Sequence, residues 1–321
     1  MNILLTGAGG AAAISVWKSL EAQHTIFMVD IDPCAAGLYL VPADRRMILP
    51  KGNHPDFVKT MLRICKERRI DVFIPTVDVE LAPVSAEMKA FEAIGTKVPL
   101  SSAATLNICF DKHELLTRCK DIIPVPNFIL LNQNNIDSIT DFPCFAKPRS
   151  GSGSSGIVVI RDKKMLAALP LDNTYLVQEL LPGDEYSVDT YFDKNSQPIA
   201  AVPRLRMKID SGIAVASRSI KSTVLEDLAI KTGQAIGIQY VANIQFKQSK
   251  DGVFKLLEIN PRFSGTMPLT CAAGADIPKL MMQELSGESL KGLVPYKELM
   301  VVRYWTEKYI ATSEWEALCQ A

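Results

Sequence analysis

The chain lacks an excess of charge of either sign: 35 lysines and arginines balance 35 aspartates and glutamates in 321 residues. A nucleic-acid or anionic-membrane surface needs a basic surplus, so neither partner is expected. No apolar run approaches the ~20 residues of a membrane span. The N-terminus, Met1-Asn-Ile-Leu-Leu-Thr6, has no basic region and too short an apolar run for a signal peptide. The seven cysteines are odd in number and include no CxxC pair. That pattern fits reduced thiols and a cytoplasmic location. Histidine is scarce: His24, His54 and His113 are all there is, and all lie well before the midpoint of the chain. Histidine acid–base chemistry is therefore not expected further along.

What is present is an ordinary globular composition, 48% hydrophobic and 22% charged. The length suggests two domains or more. Asn2-Ile-Leu-Leu-Thr6 reads as a strand, followed by Gly7-Ala-Gly-Gly-Ala-Ala12, a helix through Trp17, and a second strand at Thr25–Asp30. Gly7, Gly9 and Ala12 fit G-x-G-x-x-G/A, and Asp30 stands about twenty residues on, where a ribose-binding acid would be. Two readings stay open, a dinucleotide site or glycines serving only a tight turn. A helix from Pro55 to Arg68 and a strand at Asp71–Pro75 complete a small parallel sheet with helices on both faces. Asp78 and Glu80 fall at the carboxyl end of its last strand, where such sheets bind ligands.

Beyond residue 110 the pattern changes. Asp111 opens a helix as its cap, with Glu114 three residues on. Lys112 then sits in the first turn, where the helix dipole disfavours a cation. A strand ends at Lys147, and Arg149-Ser-Gly-Ser-Gly-Ser-Ser-Gly156 leads into another strand. A Gly/Ser loop between strands can lay amides and hydroxyls over phosphates. Thr174–Gly183 is a strand running into a turn, whose backbone edge suits an adenine, with Glu185 placed for ribose hydroxyls. Arg204, Arg206 and Lys208 alternate along a strand with Arg218 and Lys221 nearby: either a solvated edge or an anion-binding wall for phosphates or a carboxylate. Helices are expected at 226–237 and 278–285.

The densest chemistry lies in Val241–Phe246 and Phe254–Arg262, joined through Asp251-Gly252, a hairpin signal. With Asp251-Gly252 as a two-residue turn, Gln245 opposes Glu258 and Asn243 opposes Asn260, each pair about 5 Å apart at Cβ. Glu258, Asn260 and Arg262 share a face at period two, with Leu257 and Ile259 on the other. A carboxylate and amide oxygens beside a guanidinium suit Mg²⁺, although a plain polar hairpin face has the same appearance.

In order, a lysine before a Gly/Ser loop, Val-Gln-Glu-Leu-Leu-Pro-Gly-x-Glu, Asn-Ile-Gln-Phe and Glu-Ile-Asn-Pro-Arg resemble the ATP-grasp superfamily, most closely single-unit proteins related to the carbamoyl-phosphate synthase large subunit. The resemblance covers nearly the whole chain. It implies α/β and α+β architecture: a small parallel αβα pre-ATP-grasp domain (1–110), then a two-lobed ATP-grasp fold, with a small lobe carrying the flap (111–182) and a large lobe carrying the metal hairpin (183–321). Carried over residue by residue, Lys112 and Lys147 grip ATP under a flap that includes Ser150, Gly151, Ser152, Gly153 and Gly156. Glu179 and Leu181 form the adenine hinge, and Glu185 is the ribose acid. Gln245, Glu258 and Asn260 hold Mg²⁺ or Mn²⁺, and Arg262 steadies the transferred phosphoryl group. The implied activity is ADP-forming ligation of a carboxylate, or bicarbonate, to an amine through an acyl phosphate, with small-molecule substrates and a homodimer left open. The chain has one flap and one Glu-x-Asn-Pro-Arg where the full synthase has two units, so complete carbamoyl-phosphate synthesis is not expected of it. The rivals are an NAD(P)-dependent oxidoreductase using Gly7, Gly9 and Asp30, and a non-catalytic ATP-binding regulator. The second predicts decayed metal ligands, whereas Glu258, Asn260 and Arg262 are all present.

Overall fold

Continuous apolar strands separated by amphipathic helices build the first layer. The structure is a computed structural model that describes residues 1–151, 156–210 and 212–320. Strands β1 (Asn2–Leu5), β2 (Thr25–Asp30), β3 (Arg46–Ile48) and β4 (Val72–Ile74) form a parallel sheet in the order β3-β2-β1-β4. Alternate residues of β1 enter different cores, which is why the strand is apolar throughout. Ile3 and Leu5 pack with the helix Ala11–Leu20, while Leu4 packs with the helix Phe57–Glu67.

The small lobe is an antiparallel sheet of β5 (Phe128–Asn132), β6 (Cys144–Pro148), β7 (Val158–Ile160) and β8 (Asp172–Glu179), ordered β5-β8-β6-β7. The large lobe is an antiparallel sheet of β9 (Glu185–Phe192), β10 (Pro198–Asp210), β11 (Ile213–Ser219), β12 (Tyr240–Gln248), β13 (Phe254–Asn260) and β14 (Met300–Val302), ordered β13-β12-β9-β10-β11-β14. Strand β14 lies in the tail after Ser286, which the sequence pattern leaves without an assignment. The helix Thr223–Ile236 ends at Gly237, whose φ of 75° is the left-handed conformation a helix C-terminus favours.

Packing crosses the sequence boundaries. The N-terminal helix Ala11–Leu20 shares a core with Tyr191, Val202 and Val241 of the large sheet through the helices Met267–Ala273 and Ile277–Leu285. The helix Lys112–Cys119 precedes the small lobe in sequence, yet its Leu115, Leu116 and Cys119 join the large sheet's core with Leu225 and Phe246. Both connections place Lys112 and the carboxyl ends of β1 and β4 beside the β12–β13 hairpin.

That hairpin differs from expectation in two ways that cancel. Ser249 N donates to the Val253 carbonyl and Gly252 N to the Ser249 carbonyl, so the loop has three residues, with Gly252 at φ 78°. This shifts the register by one through Phe246↔Leu256. A β-bulge at Leu257 restores it, so that Gln245 opposes Glu258 and Asn243 opposes Asn260 as counted. Leu256, rather than Leu257, takes the core position opposite Phe246.

Candidate active site

One face of the large sheet carries a row of polar residues. Opposed residues project to the same side, so the register places Arg204, Ser187, Gln245 and Glu258 in one line across four strands. Val202, Asp189, Asn243 and Asn260 form the next line. The second line is tied down from within. Asp189 is fully buried and takes both prongs of the Arg204 guanidinium, at 2.8 and 2.9 Å. It also accepts from Thr270 Oγ1 at 2.5 Å and from Asn243 Nδ2 at 2.7 Å. Burial pushes the Asp189 carboxyl up, but Arg204 and the hydroxyls of Thr270 and Ser264 outweigh it and hold it below the usual carboxylate range. Asn243 in turn lies 3.4 Å from Gln245 Nε2, and Asn260 Nδ2 lies 3.4 Å from Glu258 Oε1. Asp189 thus braces the hairpin face that carries the expected metal ligands.

Two lysines reach this face from other elements. Lys147, the penultimate residue of β6, is only 4% exposed and donates to the carbonyl of Leu257, the bulge residue, at 3.0 Å. Burial pushes its ammonium down to about 8, with Glu258 opposing the shift and Lys112 adding to it. Lys112 is also buried. It donates to the Gly151 carbonyl at 2.7 Å, and burial lowers its pKa against the pull of Glu258, Asp78 and Asp111. The first-turn cation therefore has its reason: it faces Glu258 instead of solvent. Asp111 caps the helix through His113 N and Glu114 N, both at 3.1 Å, and grips Arg149 bidentately, anchoring the base of the flap. Ser150, Gly151 and Gly156 are placed at the ends of that flap; Ser152 and Gly153 lie outside the described residues. A cavity of about 320 Å³ opens among Lys112, Gly151, Glu258, Asn260 and Asp78.

The remaining expected residues are dispersed. Glu179 ends β8 and pairs with Lys255; its N donates to the Asn127 carbonyl and its carboxylate accepts from Asn127 N, while Leu181 is buried. Glu185 forms ion pairs with Arg206 at 3.2 Å and Lys247 at 4.0 Å. The cationic wall is not assembled. Arg204 is buried on Asp189. Arg218 opposes Leu205 and so projects from the other side of the sheet. Lys208 follows a register shift and is exposed, and Lys221 stacks 3.5 Å above the Tyr296 ring. Alternation along one strand did not show that Asp189, two strand residues after Ser187, would claim Arg204.

Arg262 is held by Asp78 at the start of the helix Asp78–Ala86, through Nε and Nη2 at 2.7 and 2.9 Å. Beyond that pair lies the larger cavity, about 690 Å³, lined by the Gly7–Ala12 turn, Asp30, Asp32, Thr76, Asp78, Glu80 and Arg262. Asp30 does not await a ribose: its carboxylate accepts from Gly9 N at 2.8 Å and from Asp32 N at 3.0 Å. The Gly9 amide of the turn is thus already capped by an anion of the chain, which disfavours a pyrophosphate there. Glu80 is buried against Thr6, and burial pushes its carboxyl up to about 7.

Glu80 is accordingly a stability liability at neutral pH. A carboxyl with a folded pKa above its unfolded value costs stability as pH rises through the window from about 4.5 to 7. Glu80→Gln keeps an oxygen for Thr6 to donate to and removes the charge. It is expected to stabilise the protein on the order of 2–3 kcal/mol at pH 8, a gain that shrinks steadily toward pH 4.5. Urea midpoints of both proteins at pH 8 and pH 5 check this; a gain equal at both values would refute it.

A family model described as "ATP-grasp in the biosynthetic pathway with Ter operon" matches residues 172–308, and one described as the PylC-like N-terminal domain matches residues 3–99. The chain contains an ATP-grasp domain. Among ATP-grasp relatives, D-alanine–D-alanine ligase of Neisseria gonorrhoeae is 25% identical over 227 residues, covering 63% of this chain and 73% of that one. The crystal structure of biotin carboxylase from Campylobacter jejuni in a β,γ-ATP complex superposes with a TM-score of 0.75 at 18% identity, covering 92% of this chain and 73% of the other. N5-carboxyaminoimidazole synthetase from Staphylococcus aureus, complexed with ADP, gives 0.72 at 15% identity over 93% and 81%. The narrower likeness to carbamoyl-phosphate synthase is met only loosely, through the biotin carboxylase fold. No helix among the described residues is long and apolar enough to cross a membrane.

Proposed function

We propose that this ATP-dependent ligase phosphorylates a small carboxylic acid, or bicarbonate, on a carboxylate oxygen and joins the acyl group to an amine, releasing ADP and phosphate. The observation that carries the reading is the meeting of Lys112 and Glu258 around one cavity, with the buried Lys147 of a third element close enough to feel the charge of both. Two buried ammonium groups facing one carboxylate leave positive charge that phosphates would neutralise.

The nucleotide and its metal fit the residues present. Gln178 Oε1 is buried without a hydrogen-bond partner. It is two residues from Leu176, which opposes Lys147, so it shares that lysine's side of the small sheet. It lies next to Glu179 of the expected hinge, where an adenine amino group would satisfy it. The metal face offers one carboxylate, Glu258, with the amides Gln245 and Asn260. No cluster of three or more acidic, histidine or cysteine ligands exists among the described residues. That set suits Mg²⁺ or Mn²⁺ arriving with phosphates rather than alone; when bound, such a cation supplies neutralisation of phosphate charge. Lys112 and Lys147 would grip the phosphates, and Ser150, Gly151 and Gly156 would cover them. Glu185 would reach the ribose by exchanging one of its cationic partners. Arg262 presents Asp78 with the two-pronged grip that a substrate carboxylate or acyl phosphate would receive. No nucleophilic side chain is needed, because positioning and charge neutralisation account for the chemistry.

ATP with Mg²⁺ is expected to raise the melting temperature, and NADH is expected not to. A ligand bound only by the folded state stabilises by about 2.7 kcal/mol at a hundredfold excess over Kd. Differential scanning fluorimetry checks both, followed by a screen for acid-dependent ADP release over carboxylates with and without amines. A shift with NADH and none with ATP would favour the oxidoreductase instead.

A further inference from the structure

The two edges of the large sheet are built differently. At β13 the outer backbone groups are occupied: Leu256 N donates to the Pro124 carbonyl, and the carbonyl of Leu257 receives Lys147. Lys255 and Glu258 lie on that strand, and the bulge at Leu257 bends it. Charges, bulges and covering segments are the usual protection of a sheet edge. Among the described residues, β14 at the opposite edge shows none of them. The Leu299 carbonyl accepts from Ser219 N, and Arg303 N donates to the Val215 carbonyl, so these odd-numbered residues bond inward to β11. Alternation turns the N–H and C=O of Met300 and Val302 outward, away from the sheet. Arg303 carries the one charged side chain from 299 to 306, and it is turned into the protein, onto the Gly265 carbonyl.

Past this edge the chain runs on as an aromatic tail. Tyr304, Trp305 and Tyr309 are 86, 92 and 88% exposed, with Met300 and Val302 exposed beside them. A buried aromatic side chain covers roughly 150–250 Å², so three supply roughly 450–750 Å². A specific interface needs about 800 Å² from each partner, which the two aliphatic side chains bring within reach. Tyrosine and tryptophan are also the residues that carry much of the binding energy at such surfaces.

We infer that β14 pairs with β14 of a second copy of this chain, antiparallel and two-fold symmetric about Val302, joining two six-stranded sheets edge to edge. The segment is self-complementary in that register. Met300 falls opposite the partner's Tyr304, and Leu299 opposite the partner's Trp305, apolar on apolar. Lys297 falls opposite the partner's Glu307; both are exposed, and neither is ion-paired among the described residues. An axis at Arg303 would set two guanidinium groups opposite one another, and an axis at Val301 would leave Glu307 without a cation. The formal net charge of zero adds no repulsion between copies. The pairing is isologous, so it closes on itself and leaves neither β14 edge open. The inference is independent of the ligase reading.

Sedimentation equilibrium of the full chain at micromolar concentrations is expected to give twice the 35.3 kDa of one chain. Val302→Lys puts two ammonium groups on the axis and leaves the inward bonds to β11 intact. It should raise the dimer dissociation constant roughly a hundredfold or more, with an unchanged circular dichroism spectrum. Lys297→Glu should weaken the dimer roughly tenfold, and Glu307→Lys in the same chain should restore it, a rescue specific to this register. That charge-swapped pair reads the same interface without touching an apolar residue. A monomer throughout the range would overturn the inference and leave the aromatic edge to a different protein. A dimer indifferent to Val302→Lys would overturn it by placing the contact on another face. A double variant no tighter than Lys297→Glu alone would overturn it by discarding the two-fold axis at Val302.

Discussion

Glu258→Gln is expected to lower turnover at least about a thousandfold, roughly 4 kcal/mol of transition-state stabilisation, while weakening ATP by no more than about tenfold. Glu258 is the only carboxylate among the proposed metal ligands, and it faces both buried lysines. Its charge is needed most as the phosphoryl group is transferred, so its loss should fall on the rate more than on ground-state binding. Glutamine preserves the shape and the register opposite Gln245, which separates charge from structure. Steady-state turnover with an acid found by the screen, set beside AMP-PNP affinity, measures the two effects separately. Near-normal turnover in Glu258→Gln would show that the converging hairpin face is not the reaction centre.

The largest effect on stability is expected from Asp189→Ala, a loss of about 3–5 kcal/mol. The substitution leaves Arg204, 2% exposed, as an uncompensated buried charge, and strips Thr270 and Asn243 of an acceptor. The exposed Arg63–Glu67 pair, one helical turn apart on the surface, is the control. Its removal should cost under about 0.5 kcal/mol, because solvent screens it and side-chain entropy opposes it. Urea midpoints of the two variants decide the matter; equal losses would mean that the Asp189 network does not brace the sheet. Asn243 hangs from the same carboxylate, so a refolded Asp189→Ala protein should also show weakened use of Gln245.

Much of this arrangement could be read before any coordinates, and the reasons are local. Period-two alternation placed Glu258 and Asn260 on one face because β13 is a strand with one face committed to a core. The register of Gln245 and Asn243 was right even though the turn was not: the extra residue of the Gly252 loop and the bulge at Leu257 cancel over the site. The bulge itself has no short-range signature, and so the Leu257 carbonyl that receives Lys147 could not be foreseen. Arg204 was misplaced for a related reason. Alternation tells which residues share a face but not what covers it, and Asp189 joins Arg204 through strand pairing. The sign of the N-terminal cavity was equally hidden, since it depends on Asp30, Asp78 and Glu80 being gathered from the ends of separate strands. Asp78 and Glu80 stood at the expected strand end; nothing in the sequence linked them to Arg262, some 180 residues away.

The central claim is that a carboxylate oxygen of the substrate is phosphorylated. It is tested most directly by following ¹⁸O from the labelled acid. The account predicts that label appears in the released phosphate in an amine-dependent turnover, because the C–O bond to phosphorus is the one that breaks. Label retained wholly in the organic product, with the phosphate oxygen drawn from water, would contradict it.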